Sequence, residues 1–271
     1  MIKAAVLGSP IEHSLSPLIH QRAYEILGVD GVYDRHEVTE ETFPKFIAEA
    51  LNGSWTGFSL TMPLKEVAFT SGFECDSRAV RIQSANTLIR MGDSFLATST
   101  DVLAFDRLLG GRDFSRVAVI GSGGTARAAL GALDLLTDHV TVIQRSSHRN
   151  ELLRSAVAHC ALEFRGMETV LDAFDLVIST VPAGASDNLA EQIRLSASQI
   201  EGTLIEVLYK PSPTALSKVW GEKGGAVLDG LDLLVEQALD QIRLMTSSSF
   251  DYAQMRESLL AYVKEHQERN S

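Results

Sequence analysis

The run Val117-Ala118-Val119-Ile120-Gly121-Ser122-Gly123-Gly124-Thr125-Ala126-Arg127 constrains the chain most, because an apolar β-type segment passes through three glycines directly into an alanine-rich helix. A strand, a tight turn and a helix use these residues in that order. Glycines in such a turn let backbone N–H groups approach a phosphate, and the helix N-terminus adds a dipole that favours an anion. A tight turn without a ligand would use the same glycines, so the loop alone leaves its occupant open. Gly121, Ser122, Gly123, Gly124, Thr125 and Ala126 are therefore candidate phosphate-binding residues.

The surrounding half of the chain gives the loop its context. Short apolar strands over 117–120, 140–143, 175–179, 203–207 and 226–228 alternate with helices that run to Leu135, near 149–159 and near 214–223. That alternation predicts an α/β fold with a parallel, doubly wound, Rossmann-type sheet. About twenty residues after the glycine loop, a fold selective for NAD ends its second strand in Asp or Glu, which holds the ribose hydroxyls. Here the segment reads Gln144-Arg145-Ser146-Ser147-His148-Arg149. No carboxylate is present to repel a ribose 2′-phosphate, and Arg145 can stack on adenine while contacting that phosphate, with Ser146 and Arg149 nearby. The segment points to NADP over NAD; the alternative is a pair of solvated arginines on a loop.

The half before the glycine loop has a different pattern. A first strand over 2–7 leads into Gly8-Ser9-Pro10-Ile11-Glu12-His13-Ser14-Leu15-Ser16-Pro17 and a helix with Ile19, Ala23, Ile26 and Leu27 on one face. Ser16 sits where an N-cap belongs, with Pro17 at the first helical position. Ser14 would lie at the same helix end and could join an anion site, whereas His13 reads as a loop hydrogen-bonder. Next come a strand over 31–38, a helix over 42–51 striped with Phe43, Phe46, Ile47 and Ala50, and a strand over 55–60. Thr61-Met62-Pro63-Leu64-Lys65-Glu66 then turns into a short helix. On such a helix Lys65 is a solvated surface group unless something nearby needs it. A helix near 76–82 precedes a hairpin formed by 84–90 and 95–99, where Asn86 could satisfy the turn backbone and Asp101 could cap a helix over 102–109. Helices over 231–245 and 251–266, the second with Met255, Leu259 and Val263 inward, lack the strand that a continued alternating sheet would demand. They are expected to return to the first domain, with a frayed tail over 265–271. The predicted domains are 1–104, 105–236 and the C-terminal helices 237–271.

Composition narrows the partners. A chain of 271 residues that is 45% apolar can build two modest cores. Its net charge of −11 disfavours nucleic acid and anionic membranes, although a local basic group can still hold a small anion. Cys75 and Cys160 are the only cysteines, with no C-x-x-C and no Cys/His cluster at metal-ligand spacing, so no metal is expected. So few cysteines, and an N-terminal strand that reaches Gly8-Ser9-Pro10 too early for a signal-peptide core, predict a cytoplasmic protein. Its expected partner is a small molecule, with the chain a monomer or homodimer.

Taken together, the segments resemble the shikimate dehydrogenase family over essentially the full length. The resemblance is carried by the Gly8–Pro17 loop, Thr61-Met62-Pro63-Leu64-Lys65-Glu66, Ala85-Asn86-Thr87-Leu88, Thr100-Asp101, the glycine loop, Tyr209-Lys210-Pro211 and Gly230-Leu231-Asp232-Leu233-Leu234-Val235-Glu236-Gln237. It implies reversible NADP-linked reduction of 3-dehydroshikimate to shikimate in aromatic amino-acid biosynthesis. By that resemblance Lys65 and Asp101 are the catalytic pair, and Ser14 and Ser16 hold the substrate carboxylate. Ser59, Thr61, Asn86 and Gln237 surround its hydroxyls, Tyr209 lines the site, and Thr180 and Gly230 join the cofactor residues. An ammonium within reach of the carbonyl oxygen suits a reaction in which hydride delivery builds negative charge there. Two positions depart from the family, which commonly has Asn where this chain has Ser59 and Ser99. A hydroxyl lacks the reach and the paired donor and acceptor of an amide. A quinate or related cyclic hydroxy-acid dehydrogenase, using NAD in one version, is the neighbouring alternative. A noncatalytic sensor of a cyclitol or NADP on the same fold is the alternative from another class, and retention of both Lys65 and Asp101 argues against it.

Overall fold

The computed structural model describes residues 1–269, and the chain divides into two units: Met1–Ala104 together with the chain from Leu234 onward, and Phe105–Leu233. The first unit is built on a six-stranded mixed sheet in the order β2-β1-β3-β5-β6-β4. Its strands are β1 (Ile2–Gly8), β2 (Gly31–Glu37), β3 (Gly57–Leu60), β4 (Glu74–Cys75), β5 (Thr87–Met91) and β6 (Ser94–Thr98). Strand β1 is parallel to β2 and β3, whereas β3, β5 and β6 run antiparallel to one another in turn. Side chains alternate along β1: Ala5 and Leu7 join Phe43, Phe58 and Leu88 on one face, while Ala4 and Val6 join Tyr24, Tyr33 and Met245 on the other. Both faces are therefore covered. Phe58, fully buried, lies 5.0 to 5.5 Å between ring centroids from Trp55, Phe46 and Phe95. Burying a ring of that size contributes about 2–3 kcal/mol.

Helices α1 (Ser16–Leu27), α2 (Phe43–Leu51), α3 (Leu64–Thr70) and α4 (Ser77–Ile82) pack on this sheet. Two details of α1 differ from the sequence reading. Ser16 is already inside the helix with Leu15 before it, and the Oγ of Ser14 accepts from the Ser16 N–H at 3.3 Å, so Ser14 takes the end-capping part expected of Ser16. Ile26 is 43% exposed, because the core face runs through Ile19, Ala23 and Tyr24 instead. Helices α5 (Thr100–Leu109) and α10 (Gly230–Thr246) each contribute residues to both units. The final helix α11 (Tyr252–Arg269) returns to the first unit, burying Met255, Leu259 and Val263, and the Arg22 guanidinium of α1 lies 5.2 Å from the centroid of the Tyr262 ring. Residues 265–269 continue this helix where fraying was expected, and 270–271 lie outside the described residues.

The second unit carries β7 (Val117–Ile120), β8 (His139–Ile143), β9 (Ala161–Arg165), β10 (Leu176–Ser179), β11 (Thr203–Glu206) and β12 (Ala226–Leu228). They pair in the order β12-β11-β10-β7-β8-β9, every pair parallel, with α6 (Gly124–Leu133), α7 (Asn150–Ser155), α8 (Asp187–Leu195) and α9 (Ala215–Glu222) between them. This is the doubly wound order predicted from the alternation, and all four residues of β7 are buried. Strands β4 and β9 and helix α8 were not anticipated.

His20 of α1 is fully buried against Tyr33, the two rings stacked at 3.9 Å. Its Nδ1 donates to the Ser16 carbonyl at 2.9 Å, since that oxygen only accepts, while Nε2 has no protein partner. Burial lowers its pKa to about 4, against the opposing pull of the Ser16 carbonyl. Between that value and the ordinary 6.5, the unfolded chain takes up a proton that the folded chain refuses, so stability is lost as pH falls through this window. The loss at the acid end is about 3 kcal/mol. Urea unfolding at pH 7 and pH 4.5 should show this decline in the wild type and a clearly smaller one in His20→Phe; equal declines would assign the acid sensitivity elsewhere.

Candidate active site

Strand register brings the candidate substrate residues of the first unit to one sheet edge. Leu7 of β1 lies beside Leu60 of β3, Ser59 pairs with Thr87 of β5, and Thr87 pairs with Thr98 of β6. The loops and helix starts at this edge carry Ser14 and Ser16 after β1, Thr61 and Lys65 after β3, Asn86 before β5, and Asp101 after β6. Open α/β sheets bind ligands at the carboxyl ends of their parallel strands, and this edge is that end for β1 and β3.

Lys65 stands in the first turn of α3, where its carbonyl accepts from the Ala85 N–H at 2.9 Å. Its Nζ lies 2.6 Å from Asp101 Oδ2, with side-chain exposures of 20% and 7%. Helix α5 begins at Thr100, so Asp101 lies within the first turn instead of capping it. There its carboxylate has a favourable place near the helix N-terminus. Asn86 Nδ2 donates to the other oxygen, Oδ1, at 2.8 Å and to Thr100 Oγ1 at 2.9 Å. Asn86 Oδ1 accepts from the Thr100 N–H at 2.8 Å and from Thr87 Oγ1 at 3.0 Å. Gln237 of α10 donates to the Leu234 carbonyl and brings its Oε1 to 3.4 Å from Asn86 Nδ2. Lys65, Asp101, Asn86 and Gln237 are thus one group, in which an ammonium is aimed by a carboxylate that is itself held by an amide. Such a group can give a proton to an oxygen that gains negative charge and take it back in the reverse direction.

The other expected residues take varied places. Thr61 follows β3 directly, its N–H donating to the Leu7 carbonyl at 2.9 Å. Ser59 is 4% exposed and turned into the protein, accepting from Tyr33 Oη and donating to Gln241 Oε1 at 2.7 Å, so its only hydrogen is committed away from any ligand. Ser99 is buried at 1% exposure. Thr87 and Thr100 lie in motifs quoted from the sequence but were given no role there, and Tyr33 and Gln241, which read as ordinary strand and helix residues, were not singled out.

In the second unit, β7 has β10 on one side and β8 on the other, so the glycine loop leaves the sheet where the strand order reverses. Gly121 has φ +119°, and a Cβ there would stand 2.3 Å from Thr180 Oγ1, which donates to the Ile120 carbonyl at 2.8 Å. Gly123 precedes α6, and a Cβ there would meet nothing within 4 Å, so the space before the helix N-terminus is open. Thr125 and the buried Ala126 lie in the first turn of α6. Arg149 Nη1 reaches to 3.5 Å from the Ser122 carbonyl. At the end of β8, Gln144 is buried and donates to Asn150, while its Oε1 has no protein partner; Arg145 and Ser146 are exposed, and no carboxylate occurs from 144 to 150. An open helix N-terminus, nearby guanidinium groups and an orphaned buried acceptor fit a phosphate-rich dinucleotide. Gly230, expected among the cofactor residues, has a structural reason to be glycine: a Cβ would lie 2.4 to 2.6 Å from the backbone of Val207, Leu208 and Tyr209. Glu206 steadies that same segment, accepting from the Leu208 N–H and from Thr214 Oγ1, and burial pushes its carboxyl upward. Among the described residues no group of three or more His, Cys, Asp or Glu could hold a metal, and no helix is long and apolar enough to cross a membrane.

A doubly wound nucleotide-type sheet and a lysine–carboxylate pair on a second sheet define a two-domain dinucleotide-linked dehydrogenase class. The family model described as the shikimate dehydrogenase substrate binding domain matches residues 6–88. The shikimate dehydrogenase (NADP(+)) of Sinorhizobium medicae is 31% identical over 245 residues, covering 87% of this chain and 86% of its own. The crystal structure of Mycobacterium tuberculosis shikimate dehydrogenase superposes with a TM-score of 0.84 at 34% identity, covering 96% of this chain and 99% of its own. The Thermus thermophilus shikimate 5-dehydrogenase, solved in complex with NADP(H) and shikimate, gives 0.82 at 28% identity over 97% and 100%. The chain belongs to the shikimate dehydrogenase family.

The glycine turn supplies a direct test of this local geometry. Gly121→Ala must hold a left-handed backbone and displace Thr180, and should lower the free energy of unfolding by about 2 kcal/mol or more. Gly123→Ala meets open space and should stay within about 1 kcal/mol of the wild type. Urea denaturation of the two variants gives the comparison, and equal losses would refute the geometric account.

Proposed function

We propose that this chain catalyses the reversible NADP-linked reduction of 3-dehydroshikimate to shikimate, as a step of aromatic amino-acid biosynthesis. The observation that carries the reading is the 2.6 Å pair of Lys65 and Asp101 at a sheet edge. When bound, NADPH supplies the hydride. Lys65 donates a proton to the substrate oxygen as charge grows on it, and removes that proton in the oxidative direction. Asp101 aims the ammonium and Asn86 fixes Asp101. Ser14 and Ser16 hold the substrate carboxylate at the start of α1, where two hydroxyls and the helix N-terminus favour an anion. Thr61, Asn86 and Gln237 hold the ring hydroxyls. Ser59 supports these groups from behind.

Gly121, Ser122, Gly123, Gly124, Thr125 and Ala126 form the phosphate turn, with Thr180 beside it. Gln144, Arg145, Ser146 and Arg149 take the adenosine end, where guanidinium groups and the missing carboxylate favour the 2′-phosphate. In this scheme 1–104 binds substrate, 105–236 binds NADP, and 237–271 completes the substrate side. The protein works in the cytoplasm on small molecules, as a monomer or homodimer.

Lys65→Ala should lower kcat by about a thousandfold with little change in KM, because its interaction strengthens as charge develops. A near-normal kcat would remove Lys65 from the mechanism. Initial rates for shikimate and quinate, each with NADP and NAD, should be highest for shikimate with NADP. Arg145→Ser should cut kcat/KM for NADP about tenfold and leave NAD almost unchanged. Higher efficiency with NAD would overturn the cofactor assignment, and NADP binding without turnover of either acid would favour a sensor.

A further inference from the structure

Behind the ion pair, polar groups of the first unit form one chain of hydrogen bonds whose direction is forced. The ion-paired carboxylate accepts, so Asn86 presents Nδ2 to Asp101 and turns Oδ1 the other way. Thr87 gives its one hydroxyl hydrogen to that Oδ1 at 3.0 Å and must itself accept, and Gln241 Nε2 donates to it at 2.9 Å. The Gln241 amide then offers Oε1 to Ser59, whose hydroxyl donates at 2.7 Å. Ser59 in turn accepts from Tyr33. Three hydroxyls with one hydrogen each, and two amides, all point toward the carboxylate. Bonds aligned head to tail polarise one another, and no member is exposed enough for water to take a neighbour's place. The far end is anchored too, since the Tyr33 ring stacks on His20, which is tied to the Ser16 carbonyl.

Gln241 is the joint of this chain. It links Ser59 of β3 to Thr87 of β5 from helix α10, across 182 and 154 residues of sequence. It also lies one turn beyond Gln237 on the same helix, on the same face. We propose that Gln241 is a positioning residue of the active site: by bridging Ser59 and Thr87 it orients the Asn86 amide. The proposal rests on the reading of Lys65 and Asp101 as the proton-transfer pair. Because the Thr100 N–H also holds Asn86 Oδ1, at 2.8 Å, loss of the bridge loosens the amide without inverting it. A serine at position 59 has its own reason here, since one hydrogen and two lone pairs fit between a phenol donor and an amide oxygen.

The test uses the full-length protein and kcat/KM for shikimate oxidation, with NADP affinity and the urea midpoint measured on each variant. Gln241→Met and Thr87→Val, which keep side-chain size but break the chain, should each lose about tenfold in kcat/KM. Affinity for NADP should stay within about twofold, because the residues proposed to bind it belong to the other unit. Tyr33→Phe leaves every bond from Ser59 onward and should cost no more than about twofold. In an Asn86→Ala background Gln241→Met should add no further loss of kcat/KM while still lowering the urea midpoint, which separates positioning from mere stabilisation. Folded Gln241→Met and Thr87→Val with wild-type kcat/KM would overturn the proposal, as would additive losses in the Asn86→Ala background. Thr87→Val decides alone if Gln241→Met does not fold. Absence of shikimate turnover in the wild type, or an unaffected Lys65→Ala, would overturn the underlying reading instead.

Discussion

A carboxylate that keeps 7% of its side-chain surface in water must find its partners within the protein, and Asp101 finds them on separate elements. One oxygen meets Lys65 of α3 and the other meets Asn86 ahead of β5. Leaving either ion of a sheltered pair without its partner costs several kcal/mol, so α3 and α5 are tied to each other's position by charge. The rest of the edge depends on that requirement. Asn86 must reach Asp101, which needs the backbone N–H of Thr100 and the hydroxyl of Thr87 to hold the amide from its other side.

The mixed sheet is what makes this meeting possible. The tight turn between Met91 and Ser94 folds β5 against β6, so the residue before one strand and the residues after the other arrive at the same edge. That edge is also where β1 and β3 end, because β3 pairs with β5 in the opposite direction. The second unit uses the opposite device. Its strands are all parallel, every one of them ends on the same side, and the reversal of strand order between β10 and β8 leaves the glycine loop open ahead of α6. One sheet gathers an ion pair and its amide partners at the end of its strands, and the other sets a glycine loop ahead of a helix N-terminus.

The parallel half was legible because strands buried on both faces read as short apolar runs, as in Val117–Ile120. Strand β9 escaped notice because it is an edge strand on which Glu163 and Arg165 interrupt the apolar run. Strand β4 has only two residues and no period to detect. Of the site, the glycine turn was visible from local sequence. Lys65 and Asp101 were not, since 36 residues separate them and each has an ordinary surface or capping use; family resemblance alone placed them together. Gln241 was hidden for a stronger reason. Its partners lie more than 150 residues away, and a glutamine on an amphipathic helix carries no mark of burial.

The one-way order of the buried hydroxyls also bears on how such a chain can drift during evolution. Positions 33, 59, 87 and 241 each supply what the next one lacks, so a change that reverses donor and acceptor at any of them leaves a neighbour unpaired in a dry interior. An asparagine at position 59 would bring two hydrogens where one is wanted, and could settle only if 33 or 241 changed with it. These sites should therefore vary together among related sequences, as a linked set distinct from the residues proposed to touch substrate.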